Sequence, residues 1–113
     1  MAEVVVEAYQ EEGKPDVLSE FLDELCDKND VKKIRKLIRM LQSQGKDLGF
    51  PVSRFLGEGL HELRDRSCGF RIYYTFIGNV LAILLVIGDK SSQQDDIERA
   101  KNRRKRLISS RGV

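Results

Sequence analysis

Residues 70–76 alternate strictly, with Phe70, Ile72, Tyr74 and Phe76 on one parity and Arg71, Tyr73 and Thr75 on the other. A period of two places these sets on opposite faces of a strand. Gly78-Asn79 follows as a turn, and then Val80–Ile87 is apolar throughout. Two such runs separated by a tight turn read as a hairpin. A further strand candidate, Gly59–Arg66, precedes them across the turn residues Asp65–Gly69. The result is an antiparallel meander, to which SRFL (53–56) adds a short edge piece. One face of this sheet is too apolar to remain in water, so other elements must cover it.

The covering elements lie upstream. Val4–Val6 suggest a first strand at about residues 3–9. In KPDVLSEFLDELCDK, Leu18, Phe21, Leu22 and Leu25 fall at helical spacing, with Pro15 and Asp16 suited to the first turn. In DVKKIRKLIRMLQSQG, Val31, Ile34, Leu37, Ile38 and Leu41 form a second stripe. Asn29 or Asp30 is expected to cap this helix, and Gly45 to end it. The two make a helical hairpin, expected to run antiparallel. A last helix is expected from about Ser92, with Ser92 and Asp95 as a capping box. Its inward face, Ile97, Ala100, Arg104, Leu107 and Ile108, is only weakly apolar. Strands and helices are segregated, which gives an α+β class. The hairpin should pack on one face of a curved antiparallel sheet, leaving the other face open. All 113 residues are expected to form one domain with a basic tail at about 101–113.

Charge is distributed unevenly. Residues 1–30 hold ten acidic and two basic residues, a sum of −8, whereas residues 31–113 hold eighteen basic and eight acidic, a sum of +10. A basic body suits an anionic partner. The opposite charges of the first two helices are expected to serve each other. Cys26 and Cys68 have no CxxC or Cys/His neighbourhood, so they read as reduced thiols of a cytoplasmic protein. No apolar run reaches the roughly 18 residues of a membrane span. The start, MAEVVVEAY, lacks the pattern of a signal peptide.

On the face opposite Phe70 and Tyr74, the alternation places Arg71 and Tyr73, with Glu62 and Arg64 beside them on the preceding strand. Lys90 leaves the sheet in the loop that follows. Arginine matches phosphate with two parallel hydrogen bonds, and tyrosine can stack or transfer a proton. There is no HxH or DxD-type metal set and no cofactor motif, so the chemistry expected is metal-free phosphodiester transfer using the substrate's own 2′-hydroxyl. The same residues also read as a cross-sheet Glu62–Arg71 pair covered by Tyr73, and pattern alone leaves both readings open. His61 falls on the core parity and reads as packed.

Three segments resemble the RelE/ParE superfamily of type II toxins. They are FLGEGLHELR (55–64), CGFRIYYTF (68–76) and, in the addiction-module killer branch, LLVIGDKSSQQDDIERAK (84–101). The resemblance implies a ribosome-dependent mRNA endoribonuclease that leaves a 2′,3′-cyclic phosphate and a 5′-hydroxyl. It implies inhibition by a cognate antitoxin, commonly a helix-turn-helix protein through which the complex binds operator DNA. It places Arg71, Arg64, Tyr73, Lys90 and Glu62 at the catalytic site. The basic run Lys101, Arg103, Arg104, Lys105 and Arg106 is expected to contact RNA without chemistry. A non-nucleolytic toxin acting on DNA gyrase, or a decayed toxin that only co-represses, is the alternative.

Overall fold

A computed structural model describes residues 3–67 and 69–111. Cys68 lies outside these residues, while Cys26 is an exposed free thiol. Five strands and three α-helices follow in the order β1 (Val5–Ala8), α1 (Val17–Glu24), α2 (Lys28–Gln44), β2 (Ser53–Gly57), β3 (Leu60–Arg64), β4 (Phe70–Ile77), β5 (Leu81–Asp89) and α3 (Gln93–Arg111). Short 3-10 turns follow α2 and precede α3. The sheet order is β1-β5-β4-β3-β2. The meander β2–β5 is antiparallel as its turns dictate, and β1 joins β5 in parallel, making the sheet mixed.

Local chemistry sets the helix ends. Asp16 caps α1 by accepting the Ser19 N–H at 2.9 Å, and this bond holds its carboxyl below the usual range. Asp27, rather than Asn29 or Asp30, caps α2 by accepting the Asn29 N–H at 2.8 Å. Gly45 ends α2 with φ 52, a conformation that suits glycine. Leu18 and Leu22 of α1 share a groove with Ile38 and Gln42 of α2, so the two helices lie side by side. Ile34, Leu37, Ile38 and Leu41 pack on Leu63, Ile72, Tyr74 and Leu84, and Phe21 meets Phe70 edge to face with centroids 5.7 Å apart. This is the face that the alternation of β4 assigned to the hairpin. The opposite charges of α1 and α2 do not serve each other as expected. No ion pair joins the two helices among the described residues.

The second face is not open. Helix α3 crosses it, and Leu60, Tyr73, Ile83, Leu85, Val86 and Ala100 form a second core there with Ile97 and Leu107. A bulge in β5 makes this possible. Tyr73 pairs with Val86 but Tyr74 with Leu84, so Leu85 is an extra residue and both Leu85 and Val86 face α3. Arg103 Nη1 donates to the carbonyl of Leu85 at 2.8 Å, satisfying an acceptor at the bulge. Arg104 Nε donates to Thr75 Oγ1 at 2.9 Å, and Thr75 in turn donates to the Gly59 carbonyl at 2.7 Å. Gly59 has φ 76, and a Cβ there would overlap the Arg104 guanidinium, so glycine serves both the turn and the docking of α3.

Candidate active site

The GDKSSQ segment holds α3 against the sheet. Asp89 accepts the N–H of Ser91 at 2.8 Å and caps the 3-10 turn, replacing the Ser92–Asp95 capping box expected from sequence. Ser92 Oγ instead donates to Asp96 Oδ2 at 2.6 Å. Asp96 is buried and abuts Gly88, where any side chain would collide with its carboxylate. Gln93, fixed by this arrangement at the start of α3, reaches Glu62 on β3.

Glu62 is the centre of the site. Its side chain is 0% exposed, and three arginines from three strands surround it. Oε1 lies 3.7 Å from Arg54 Nη2 and 3.8 Å from Arg64 Nε, and Oε2 lies 3.5 Å from Arg71 Nη1. Gln93 Nε2 donates to Oε2 at 3.0 Å. Register explains the convergence. Glu62 stands opposite both Arg54 and Tyr73, and Arg64 stands opposite Arg71. One carboxylate thus partly neutralises three guanidinium groups and fixes their positions. Sequence reasoning missed Arg54 and Gln93. Parity in SRFL puts Arg54 on this face once β2 is paired, but nothing local announces Gln93.

Arg64, Arg71 and Lys90 line a cleft of about 370 Å³, together with Arg66, Asp65 and Phe70. Arg71 is nearly enclosed, with its side chain 9% exposed, whereas Arg64 is 34% exposed and Lys90 lies at the surface. The structure therefore brings together three of the five expected catalytic residues around one cavity. Glu62 stands behind them as a positioning residue.

Tyr73 is a correction to the expected open face. It is 0% exposed beneath α3, so its ring offers no surface to a base. Its hydroxyl is pushed far above the ordinary tyrosine range, first by burial and then by the Glu62 charge, although it meets no partner in hydrogen-bond geometry. Tyr73→Phe should retain the activity of the chain and leave its stability unchanged or raised by up to about 1 kcal/mol, because a buried hydroxyl without a partner is removed. Thermal melts and cleavage assays on the variant check this; a large loss of activity at unchanged stability would return Tyr73 to the reacting groups. Arg71 is also less exposed than expected, and the cross-sheet pair with Glu62 is present, on a diagonal of the ladder. His61 packs on the other face, stacked on Tyr74 at 5.1 Å, and burial lowers its pKa from 6.5.

The basic run divides. Arg103 and Arg104 turn to the sheet, and Lys101 pairs with Glu58 at 3.2 Å. Lys105 and Arg106 remain exposed. Among the described residues no three His, Cys, Asp or Glu side chains are grouped to hold a metal ion. Among the described residues no helix is long and apolar enough to cross a membrane.

The family described as phage-derived protein Gp49-like (DUF891) matches residues 20–105, from within α1 to most of α3. The chain belongs to the Gp49-like family. It is a family of RelE-like toxins, which agrees with the RelE/ParE resemblance of the three segments above. An uncharacterised protein of Haemophilus influenzae (strain Rd) is 40% identical over 70 residues, covering 61% of this chain and 67% of the relative. Among solved structures, a mutant of the E. coli toxin RelE in the free state superposes with a TM-score of 0.56 at 14% identity, over 88% of this chain and 98% of RelE. At that identity the likeness is one of fold. The Gp49-like chain shares with RelE an α+β fold, here helices on a five-stranded mixed sheet.

Proposed function

We infer that this chain is the toxin of a type II toxin-antitoxin module and a metal-free, ribosome-dependent mRNA endoribonuclease. The observation that carries the reading is the cleft in which Arg64, Arg71 and Lys90 converge over a carboxylate that fixes both guanidinium groups. Pre-set cations of this kind stabilise charge that develops on a phosphorane-like transition state without reorganising. In this scheme the 2′-hydroxyl of the substrate attacks the adjacent phosphorus and its proton passes to water in the open cleft. Arg64 and Arg71 neutralise the equatorial oxygens, and Lys90 protonates the departing 5′-oxygen. Tyr73, buried, takes no part. The ribosome supplies the alignment of mRNA that a shallow cleft alone does not provide. The expected partner is a cognate antitoxin, commonly of helix-turn-helix type, that blocks this cleft and carries the complex to operator DNA.

Inducing the chain in cells and mapping mRNA 5′ ends tests the reading. Cuts at discrete positions within translated codons, with 5′-hydroxyl ends, are the expected result. Intact mRNA with DNA-damage signalling would replace it with gyrase poisoning, and intact mRNA without growth arrest would leave a co-repressor.

A further inference from the structure

Helix α2 presents five cations to solvent. Lys28, Lys32, Arg35, Lys36 and Arg39 are all exposed, and at 100° per residue they fall within one sector opposite the buried Ile34, Leu37, Ile38 and Leu41. None forms an ion pair with another described residue. Three pairs, Lys28/Lys32, Lys32/Lys36 and Arg35/Arg39, stand at i,i+4, where like charges destabilise a helix. The fold gains nothing visible from this stripe. By contrast, four cations of α3, Lys101, Arg103, Arg104 and Arg111, are engaged with the rest of the chain.

We propose that the α2 stripe is a nucleic-acid docking surface that grips the RNA sugar–phosphate backbone. It lies on the opposite side of the sheet from the Arg64–Arg71–Lys90 cleft, because α2 packs on the Leu63, Ile72 and Tyr74 face. The stripe therefore supplies affinity, not chemistry, and binding on both sides suits a large folded RNA. Its composition distinguishes RNA from an acidic protein. Three of the five residues are lysines, which protein interfaces deplete and which bind phosphate as point charges. No exposed large apolar residue lies on α2 to anchor a protein partner. The apolar groove between α1 and α2 is edged by Arg35 and Arg39, but Lys28, Lys32 and Lys36 lie outside it.

This inference rests on the RNA-directed reading of the chain, but its test does not require cleavage. The full chain and a variant with Lys32, Arg35, Lys36 and Arg39 changed to Gln are compared by fluorescence anisotropy against an RNA duplex of arbitrary sequence over a series of salt concentrations. A polyglutamate peptide serves as the acidic-protein probe. Glutamine keeps helix propensity, so the variant should fold, with a melting temperature unchanged or higher as the repulsion is relieved. Its RNA affinity should fall at least tenfold at about 0.1 M salt, with the logarithmic salt slope shallower by roughly 0.9 for each phosphate no longer neutralised. Equal affinity and slope for both proteins would overturn the proposal, as would wild-type preference for polyglutamate or a clear drop in melting temperature. Separately, if the wild type fails to cleave mRNA on ribosomes while its RNA binding still depends on α2, the endoribonuclease reading falls and the docking surface stands. Undiminished ribosomal cleavage and RNA binding by the variant would do the reverse.

Discussion

Arg71→Ala is expected to cut mRNA cleavage by a factor on the order of 10² or more, comparable to losing one donor that stabilises a transition state. The same change should lower stability, for a reason the alternation in β4 does not reveal. The Arg71 side chain is 9% exposed, and its Nη1 lies 3.5 Å from a carboxylate that is fully buried. Breaking a buried pair by removing one partner costs about 3–5 kcal/mol when the remaining charge is uncompensated. Here Glu62 keeps Arg54, Arg64 and the Gln93 amide, at 3.7, 3.8 and 3.0 Å. The loss should therefore be smaller, roughly 1–3 kcal/mol by the cost of leaving one charge-assisted bond unmade. Thermal melts measure this loss, and cleavage assayed well below the melting transition separates it from chemistry. A double-mutant cycle with Glu62→Gln apportions the two roles. Non-additive effects on cleavage as well as on stability would show that Glu62 positions an arginine that acts on substrate, whereas independent effects on cleavage would show that it does not act through Arg71. If Arg71→Ala cleaves like wild type below its melting temperature, Arg71 serves the fold alone. Arg71→Lys should rescue only part of the cleavage, since it keeps the charge and loses the planar fork.

Gly88→Ala should be the most damaging single methyl addition to the chain. The new Cβ would occupy the space of the Asp96 carboxylate and crowd the Ser92 hydroxyl. Asp96 is buried and has no route to water that preserves the bond from Ser92 at 2.6 Å. Overpacking typically costs about 1–3 kcal/mol, and loss of the Ser92–Asp96 bond adds about 1–3 kcal/mol. A drop in melting temperature of roughly 10 °C or more follows for a domain of this size. Cleavage should fall with it, because a displaced start of α3 withdraws Gln93 from Glu62. Asp96→Ala in the Gly88→Ala background should recover part of the stability by removing the collision. A melting temperature within about a degree of wild type for Gly88→Ala would refute the packing account, as would a double variant worse than the sum of its parts.

Local chemistry alone settled a great deal. The alternation of residues 70–76, the Gly78-Asn79 turn and the apolar run after it specify two paired strands and their parity, because side chains on a strand can point only two ways. The stripes Leu18–Leu25 and Ile34–Leu41 specify two helices with one buried face each, and the three matching segments point to the superfamily. What occupies the second face of the sheet was decided elsewhere. Helix α3 has only Ile97, Ala100 and Leu107 as apolar contacts there, set among charges, so its own pattern reads as nearly solvated. It docks because Gly59 and Gly88 leave room, Arg103 and Arg104 find acceptors on the sheet, and the Leu85 bulge turns an extra side chain toward it. Each of these contacts joins residues far apart in the chain, and none has a periodicity. The same holds at Glu62, whose neighbours come from β2, β3, β4 and α3. Sequence alternation aimed Glu62, Arg64, Arg71 and Tyr73 at one face. Only the tertiary structure buried Glu62 and Tyr73 within that face and left Arg64 and Lys90 at the cleft with Arg71 between them, because burial depends on what covers a surface and local spacing does not encode that.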